Sequence, residues 1–482
     1  MITSMLHSKY LGRTVAAGAL AGVAILAACN QDSLLVAPTP DVVRPSDISG
    51  PAALPAAYAA AIGDFQVGYA GGYGTGLDLN EGLAQMSGLL ADELVDAETF
   101  NTRIEVDRRA TKQINGTTLQ TFQDIQRARA TADLVASRFR QFDPTNPQGA
   151  EVQALAAFTY VMIAETYCNG VPSSKVNDDG TFTYGAAQTG RQILTAAVAK
   201  FDSAITSATA SGGTTALNLA RIGKGRALLD LNQPAQAAVA VAQVPSTFNY
   251  SIQHDENTGR QNNALFAFNY LEARFAVGDQ EGTNGLPFVS LGDPRVPIID
   301  AGPGFDGETE LFLTTKYSDR SSPTPLALGT EARLIQAEAA LAANDAGGFL
   351  ANLNDARAHA LTYTADGAAN SLPLDPPPPL NSADVPASVA GRQNLLFTER
   401  ALNLFLTGHR LGDMRRLIWQ YGRSADAVFP TGPYEPTNTS KAGANFGTDV
   451  NLPIPQEEAD NNPLFTKGAP SACIDRSAGI GS

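Results

Sequence analysis

Apolar residues recur at three- and four-residue spacing through most of the chain between Ala56 and Ala208. The pattern predicts helices over Ala57–Tyr69, Glu81–Asp96, Thr118–Phe139, Glu151–Tyr167 and Gly190–Ala208, separated by clusters of Gly, Asn or Pro. In Glu151–Tyr167 the large side chains Leu155, Phe158, Tyr160, Met162 and Ile163 occupy most of the circumference, so this helix is expected to lie among other helices. Its end, Asn169-Gly170-Val171-Pro172, supplies a glycine stop and a proline that cannot continue the helix. Two further pairs, 216–230 with 234–243 and 331–343 with 346–361, alternate small and large residues around a short corner. Paired helices of this kind follow the tetratricopeptide arrangement, in which no pair covers its own apolar face and stacking builds the core.

The helical pattern stops between Pro245 and Thr330. There Phe248, Tyr250, Phe266, Phe268, Tyr270, Phe275, Phe288, Phe305, Phe312 and Tyr317 lie among many Gly, Asn and Asp. Two more irregular stretches follow, Thr362–Ala387 with its run Pro376–Pro379, and Ala425–Asn462. Long irregular segments in a folded body commonly carry function, and the aromatic density of the first argues against disorder. Between them, Phe397–Arg423 reads as two helices joined by a tight corner at Gly408. Glu399, Arg400, His409, Arg410 and Asp413 stand beside the apolar stripes Phe397, Leu402, Phe405, Leu406 and Leu411, Met414, Leu417, Ile418. Charges so close to an apolar face predict a buried or half-buried ion-pair network; Glu399, His409, Arg410 and Asp413 could serve as an acid–base cluster, but the favoured reading is that they lock the corner, with arginine forks on carboxylates and helix-end carbonyls.

Charge and the chain's start narrow the setting. With 33 basic against 48 acidic residues, the net charge of -15 disfavours nucleic acid and anionic membrane surfaces as partners. Residues 1–28 read as a signal peptide, with Lys9 and Arg13 ahead of the short apolar run Thr14–Ala28. That run is too short to span a membrane. Leu26-Ala27-Ala28-Cys29 resembles a bacterial lipobox, which implies lipidation of Cys29. Residues 29–53, rich in Pro, Asp and Ser, read as a flexible tether, and 54–482 as one folded body with loop-rich ligand-face regions at 245–330 and 425–462. Cys168 and Cys473 remain, and an extracytoplasmic compartment permits either a disulfide between them or two free thiols.

Catalytic patterns are weak. Asp92 with Glu93 diverge by about 100° on a helix, and Glu331 with Glu338 lie two turns apart, so neither spacing singles out a glycosidase acid–base pair and surface charge suffices to explain both. His254, His359 and His409 show no paired ligand spacing, and neither a Gly-x-Ser-x-Gly elbow nor a P-loop is present. No enzyme activity, metal or cofactor is expected.

Several landmarks together resemble the SusD/RagB family. They are Glu399-Arg400 and Gly408-His409-Arg410 with Asp413, the Gly170-Val171-Pro172 ending, Asp293-Pro294-Arg295, Lys316-Tyr317-Ser318, and Leu452-Pro453-Ile454-Pro455 followed by Asn461-Asn462-Pro463. The resemblance implies an all-α fold of tetratricopeptide-like pairs with a large loop-rich insert. It also implies an outer-membrane lipoprotein at the cell surface that captures an oligosaccharide or peptide and delivers it to a SusC-like TonB-dependent transporter. In the family the Glu399 to Asp413 signature is structural. The alternative is a helical-repeat scaffold lipoprotein that binds only protein partners.

A sugar site needs aromatic platforms and polar rims. The one tryptophan, Trp419, belongs to the signature helix, so platforms must come from Tyr or Phe, which favours smaller glycans or peptides over long polysaccharides. Tyr73, Phe100, Asn101, Tyr250, Phe266, Tyr270 and Phe288, in Gly- or Asn-rich stretches outside the repeats, are the candidate ligand contacts.

Overall fold

The structure, a computed structural model, describes residues 44–74, 80–368, 371–435, 438–439, 441–465, 473 and 479–480. The expected signal peptide, Cys29 and the first part of the expected tether lie outside the described residues. Helices α1 (Leu54–Ala70), α2 (Leu83–Leu90), α3 (Asn101–Asp107), α4 (Gly116–Phe142), α5 (Pro147–Thr166), α6 (Gly190–Ser211), α7 (Thr214–Asp230) and α8 (Pro234–Val241) precede the insert. Helices α9 (Gly329–Ala342), α10 (Ala346–Ala358), α11 (Val389–Asn403), α12 (Arg410–Trp419) and the short α13 (Gln456–Asn461) follow it.

Local chemistry sets these boundaries. Asn115 and Asn146 cap α4 and α5 by accepting from the Thr118 and Gln148 amides, at 3.1 and 3.0 Å. Thr189 and Gln192 form a capping box at the start of α6, which ends at Gly212 in the left-handed region. Asp345 and Ser388 cap α10 and α11.

Successive helices then pack in chain order, α4 on α5, α5 on α6, α6 on α7 and α7 on α8, with α8 against α9 and α9 against α10. The small residues of the pairs explain how close they come. A Cβ on Gly223 of α7 would lie 2.2 Å from the Phe201 ring and 2.8 Å from Phe158, so only glycine fits beneath that edge-to-face pair, whose centroids are 5.2 Å apart.

Three differences from the sequence pattern have physical causes. The helix expected over Glu81–Asp96 stops at Leu90, and the chain continues as strand β1 (Leu94–Asp96), because Asp92 and Glu93 point into the core and are held there by distant partners. Asn101–Asp107 forms a helix with no prediction behind it. Residues 44–53, assigned to the tether by composition, form short 3₁₀ turns against the body, with Ile48 buried and Pro45 accepting from Arg138 at 2.8 Å.

The insert is tied off by short β ladders. Strand β4 (Asn249–Ile252), just after α8, pairs antiparallel with β8 (Thr324–Leu328), just before α9, and closes the insert at its base. Between them, β5 (Phe275–Val277) pairs with β1, and β6 (Ile298–Pro303) with β7 (Glu310–Thr314) forms a hairpin. A small hairpin, β2 (Lys175–Val176) with β3 (Phe182–Thr183), lies between α5 and α6. The β1–β5 pairing brings the segment after residue 96 beside the insert. Cys168, at the end of α5, is bonded to Cys473 with 5.7 Å between Cα atoms, which fixes that point of the C-terminal segment to the helical body.

Candidate functional site

The corner between α11 and α12 is the polar centre of the fold. Gly408 takes φ +70°, and the arginines of α12 reach into several elements. Arg416 forms a fork on Glu338 of α9 and bonds Asp413 at 2.8 Å, while Arg400 bonds the other Asp413 oxygen at 2.7 Å. Arg410 clasps Asp92 at 2.6 and 2.7 Å. Arg226 of α7 holds Glu165 of α5 and lies 2.8 Å from His409, which in turn faces Glu331 at 3.1 Å. Glu399 joins Arg295 and Arg357. Arg415 donates to the carbonyls of Ala164, Glu165 and Tyr167 at the end of α5.

All of these groups but Arg357 are buried. Burial raises the Asp413 carboxyl, but Arg400 and Arg416 outweigh it and hold the group well below the usual carboxylate range. The surface-charge reading of Asp92, Glu93, Glu331 and Glu338 is therefore corrected: they are core carboxylates whose partners come from the corner. Glu93 differs from the other three in forming no ion pair among the described residues: one oxygen accepts from the Leu406 amide at 2.8 Å, and the other has no hydrogen-bond partner there. Burial pushes its carboxyl up to about 8.

A second cluster of arginine, glutamate and aromatic rings differs in being open to water. Phe100 is the N-cap residue just before α3, and Phe305 sits at the tip of the β6–β7 hairpin; both are about half exposed, 52% and 51%. The Arg274 guanidinium lies 4.1 Å from the Phe305 ring centroid and 5.1 Å from that of Phe100, within cation–π range of both. Arg103 lies 5.6 Å from the Phe100 centroid and 4.8 Å from that of Phe268. The glutamates fix the guanidinium groups: Glu98 bonds both Arg103 and Arg274, Glu81 bonds Arg103, and Glu272 bonds Arg274 at 3.2 Å.

Backbone bonds from Phe305 to Ala273 and from Asp306 to Ala97 seat the hairpin tip. The Asp306 side chain is clasped by Asn438 and Lys441.

The contacts continue from Glu272, which accepts from the Tyr73 hydroxyl, to the Tyr73 ring edge-on to Phe268, with centroids 6.4 Å apart. That hydrogen bond raises the Tyr73 phenol and lowers the Glu272 carboxyl. Phe268 and Tyr270 lie on a π-helical turn, Ala267–Leu271, where Tyr270 is 40% exposed and stacks on Phe266 at 5.2 Å.

The candidate contacts thus divide. Tyr73, Phe100 and Asn101 fall at or beside this face, with Asn101 exposed as the first residue of α3, and Tyr270 and Phe266 fall on the adjoining turn, Phe266 buried beneath Tyr270. Phe288 is a correction, since it is fully buried at 0% against Phe405 and belongs to the core. Tyr250 is a second correction: its hydroxyl donates to Glu151 of α5 at 2.6 Å, as does Tyr58 of α1 at 3.0 Å, so it ties the base of the insert to the helices. Arg274, Glu272, Arg103 and Phe305 were missing from the candidates. A signal lay in Leu271-Glu272-Ala273-Arg274, where both charges directly follow the densest aromatic run.

Among the described residues no group of three His, Cys, Asp or Glu is placed to hold a metal ion, and no helix is long and apolar enough to cross a membrane.

No protein-family model matches the chain, and no curated protein does. Solved structures do. A SusD superfamily protein from Bacteroides fragilis is similar with a TM-score of 0.60 at 14% identity, covering 87% of this chain and 99% of its own. A laminarin-binding SusD-like protein, at 0.57 and 15%, and surface glycan-binding protein A from Bacteroides uniformis, at 0.57 and 14%, show the same coverage of 87% and 99%. The chain therefore has the SusD-like fold, a helical body of tetratricopeptide-like pairs with a loop-rich insert.

Proposed function

We propose that this chain is a SusD-like surface lipoprotein that takes an oligosaccharide on the face formed by Phe100, Arg274, Phe305 and Tyr270. It is anchored to the outer membrane through Cys29 and delivers its ligand to a TonB-dependent transporter, without chemistry of its own. The observation that carries the reading is the pair of half-exposed phenylalanine rings held by one guanidinium that is itself fixed by two glutamates. Such rings offer apolar faces to the C–H surface of a sugar, while Asn101, Tyr73 and Glu272 supply a polar rim. The fold supports a sugar over a peptide, because SusD-like proteins of this shape include laminarin-binding and surface glycan-binding members.

The test uses the mature chain from about Ser33 onward, with thermal melts against neutral oligosaccharides and peptides. A ligand at 100 times its dissociation constant is expected to stabilise the protein by about 2.7 kcal/mol. A shift with peptides alone would replace the sugar reading. No shift with any ligand, together with capture of a protein partner, would favour the scaffold reading.

A further inference from the structure

We infer that Glu272 makes the aromatic face selective for uncharged glycans and against acidic ones, such as uronate-bearing or sulfated oligosaccharides. This rests on the face being the ligand site. The argument starts from where the cations are spent. Arg103 and Arg274 are the guanidinium groups against the platform rings, and each is already held by carboxylates, Arg103 by Glu81 and Glu98, Arg274 by Glu98 and Glu272. Two guanidinium groups thus face three carboxylates. Arg320, which also acts on Tyr73, faces Glu256 at 4.0 Å.

The three carboxylates are not equally placed. Glu81 and Glu98 are buried beneath the arginines, whereas Glu272 is partly exposed beside the rings. It accepts from both Tyr73 and Arg274, which hold it in one position at the edge of the platform. A fixed carboxylate with open lone pairs accepts hydrogen bonds from sugar hydroxyls, the groups a neutral glycan presents around its rim. An acidic sugar stacked on the same rings meets that carboxylate with like charge. To gain a cation it would have to displace Glu272 or Glu98 from an existing pair. Like-charge juxtaposition at a recognition surface is a means of rejecting the wrong partner.

The experiment is calorimetric titration of the mature chain with each neutral oligosaccharide that raises its melting temperature. The matched probe is the same oligosaccharide with one C6 hydroxymethyl oxidised to a carboxylate, so linkage and shape are kept. At low salt the oxidised probe is expected to bind about tenfold more weakly, with the gap shrinking at high salt. In Glu272→Gln, which keeps an acceptor oxygen for Tyr73 but loses the charge, the melt is expected to be retained and the ratio of the two dissociation constants to close to within about threefold, whatever the change in neutral affinity. Equal or tighter binding of the oxidised probe by the natural chain overturns the inference and leaves sugar capture standing, as does an unchanged gap in Glu272→Gln. If neither probe of any pair binds, the proposed function fails and this inference falls with it.

Discussion

Two clusters of this molecule are built from the same parts, arginine, carboxylate and aromatic ring, and one is buried while the other is open to solvent. At the corner between α11 and α12, Arg416 lies 5.3 Å from the Phe397 ring, forms a fork with Glu338 and bonds Asp413, all inside the protein. At the insert face, Arg274 lies against Phe305 and Phe100 with Glu98 and Glu272 as partners, and the rings stand half in water. Residue type does not separate the two. What separates them is whether other elements close over the rings: the corner receives α2, α5, α7 and α9, while the outer side of Phe100 and Phe305 receives water. A buried cluster of this kind ties the body together, and an open one is left with apolar surface to offer a ligand.

The largest break in this comparison is expected at the corner. Arg416→Ala leaves Glu338 and Asp413 buried with too little positive charge, which is expected to cost about 3–5 kcal/mol of unfolding free energy in a urea titration. A loss under about 1 kcal/mol would mean that the corner is solvated and its signature has some other role. The next effect belongs to the open face. Phe305→Ala is expected to leave unfolding within about 0.5 kcal/mol, as surface substitutions commonly do. Its affinity for the bound oligosaccharide is expected to fall about tenfold, the equivalent of about 1.4 kcal/mol. A variant that melts early and binds normally would reverse the assignment and make Phe305 part of the core.

The sequence carried the first cluster far better than the second. Its charges lie within fifteen residues of one another beside two apolar stripes, and helical spacing alone makes such an arrangement costly unless it is buried and paired. The identity of the partners was not legible. Asp92, Glu165 and the pair Glu331 and Glu338 come from three separate parts of the chain, and read locally the acids at 92, 93, 331 and 338 look like ordinary surface charge.

The open face depends on the β1–β5 ladder, which joins Leu94 to Val277 across most of two hundred residues. No local period encodes that pairing. Phe100, Asn101, Tyr73 and Tyr270, chosen for their Gly- or Asn-rich surroundings outside the repeats, lie on or beside this cluster of rings. Composition could not tell them from Phe288, whose exposure is settled by Phe405 in a distant helix corner.

The last test concerns Glu93, for which no ion pair forms among the described residues of the corner. Glu93 bonds only the Leu406 amide, and burial raises its folded-state value to about 8, against an unfolded value of about 4.3. A raised carboxyl stabilises the fold fully below the unfolded value, and that contribution is lost as pH climbs from about 4.3 through about 8. Nearby Lys316, which burial pushes down to about 7, has the opposite sign: its contribution is present above the ordinary lysine value and is lost as pH falls through about 7. The natural chain's curve mixes the two, so the informative quantity is the difference between Glu93→Gln and the natural chain. Glutamine keeps an acceptor for Leu406 and does not ionise. The two proteins are expected to match within about 0.5 kcal/mol near pH 4, with the variant more stable near pH 8.5 by up to about 5 kcal/mol, since about 3.7 pH units separate the two values and each is worth about 1.4 kcal/mol. A difference that stays flat across that range would show that Glu93 is ionised throughout and has a cation partner in solution. The contrast between the buried and the open cluster would then extend to every charge in the corner.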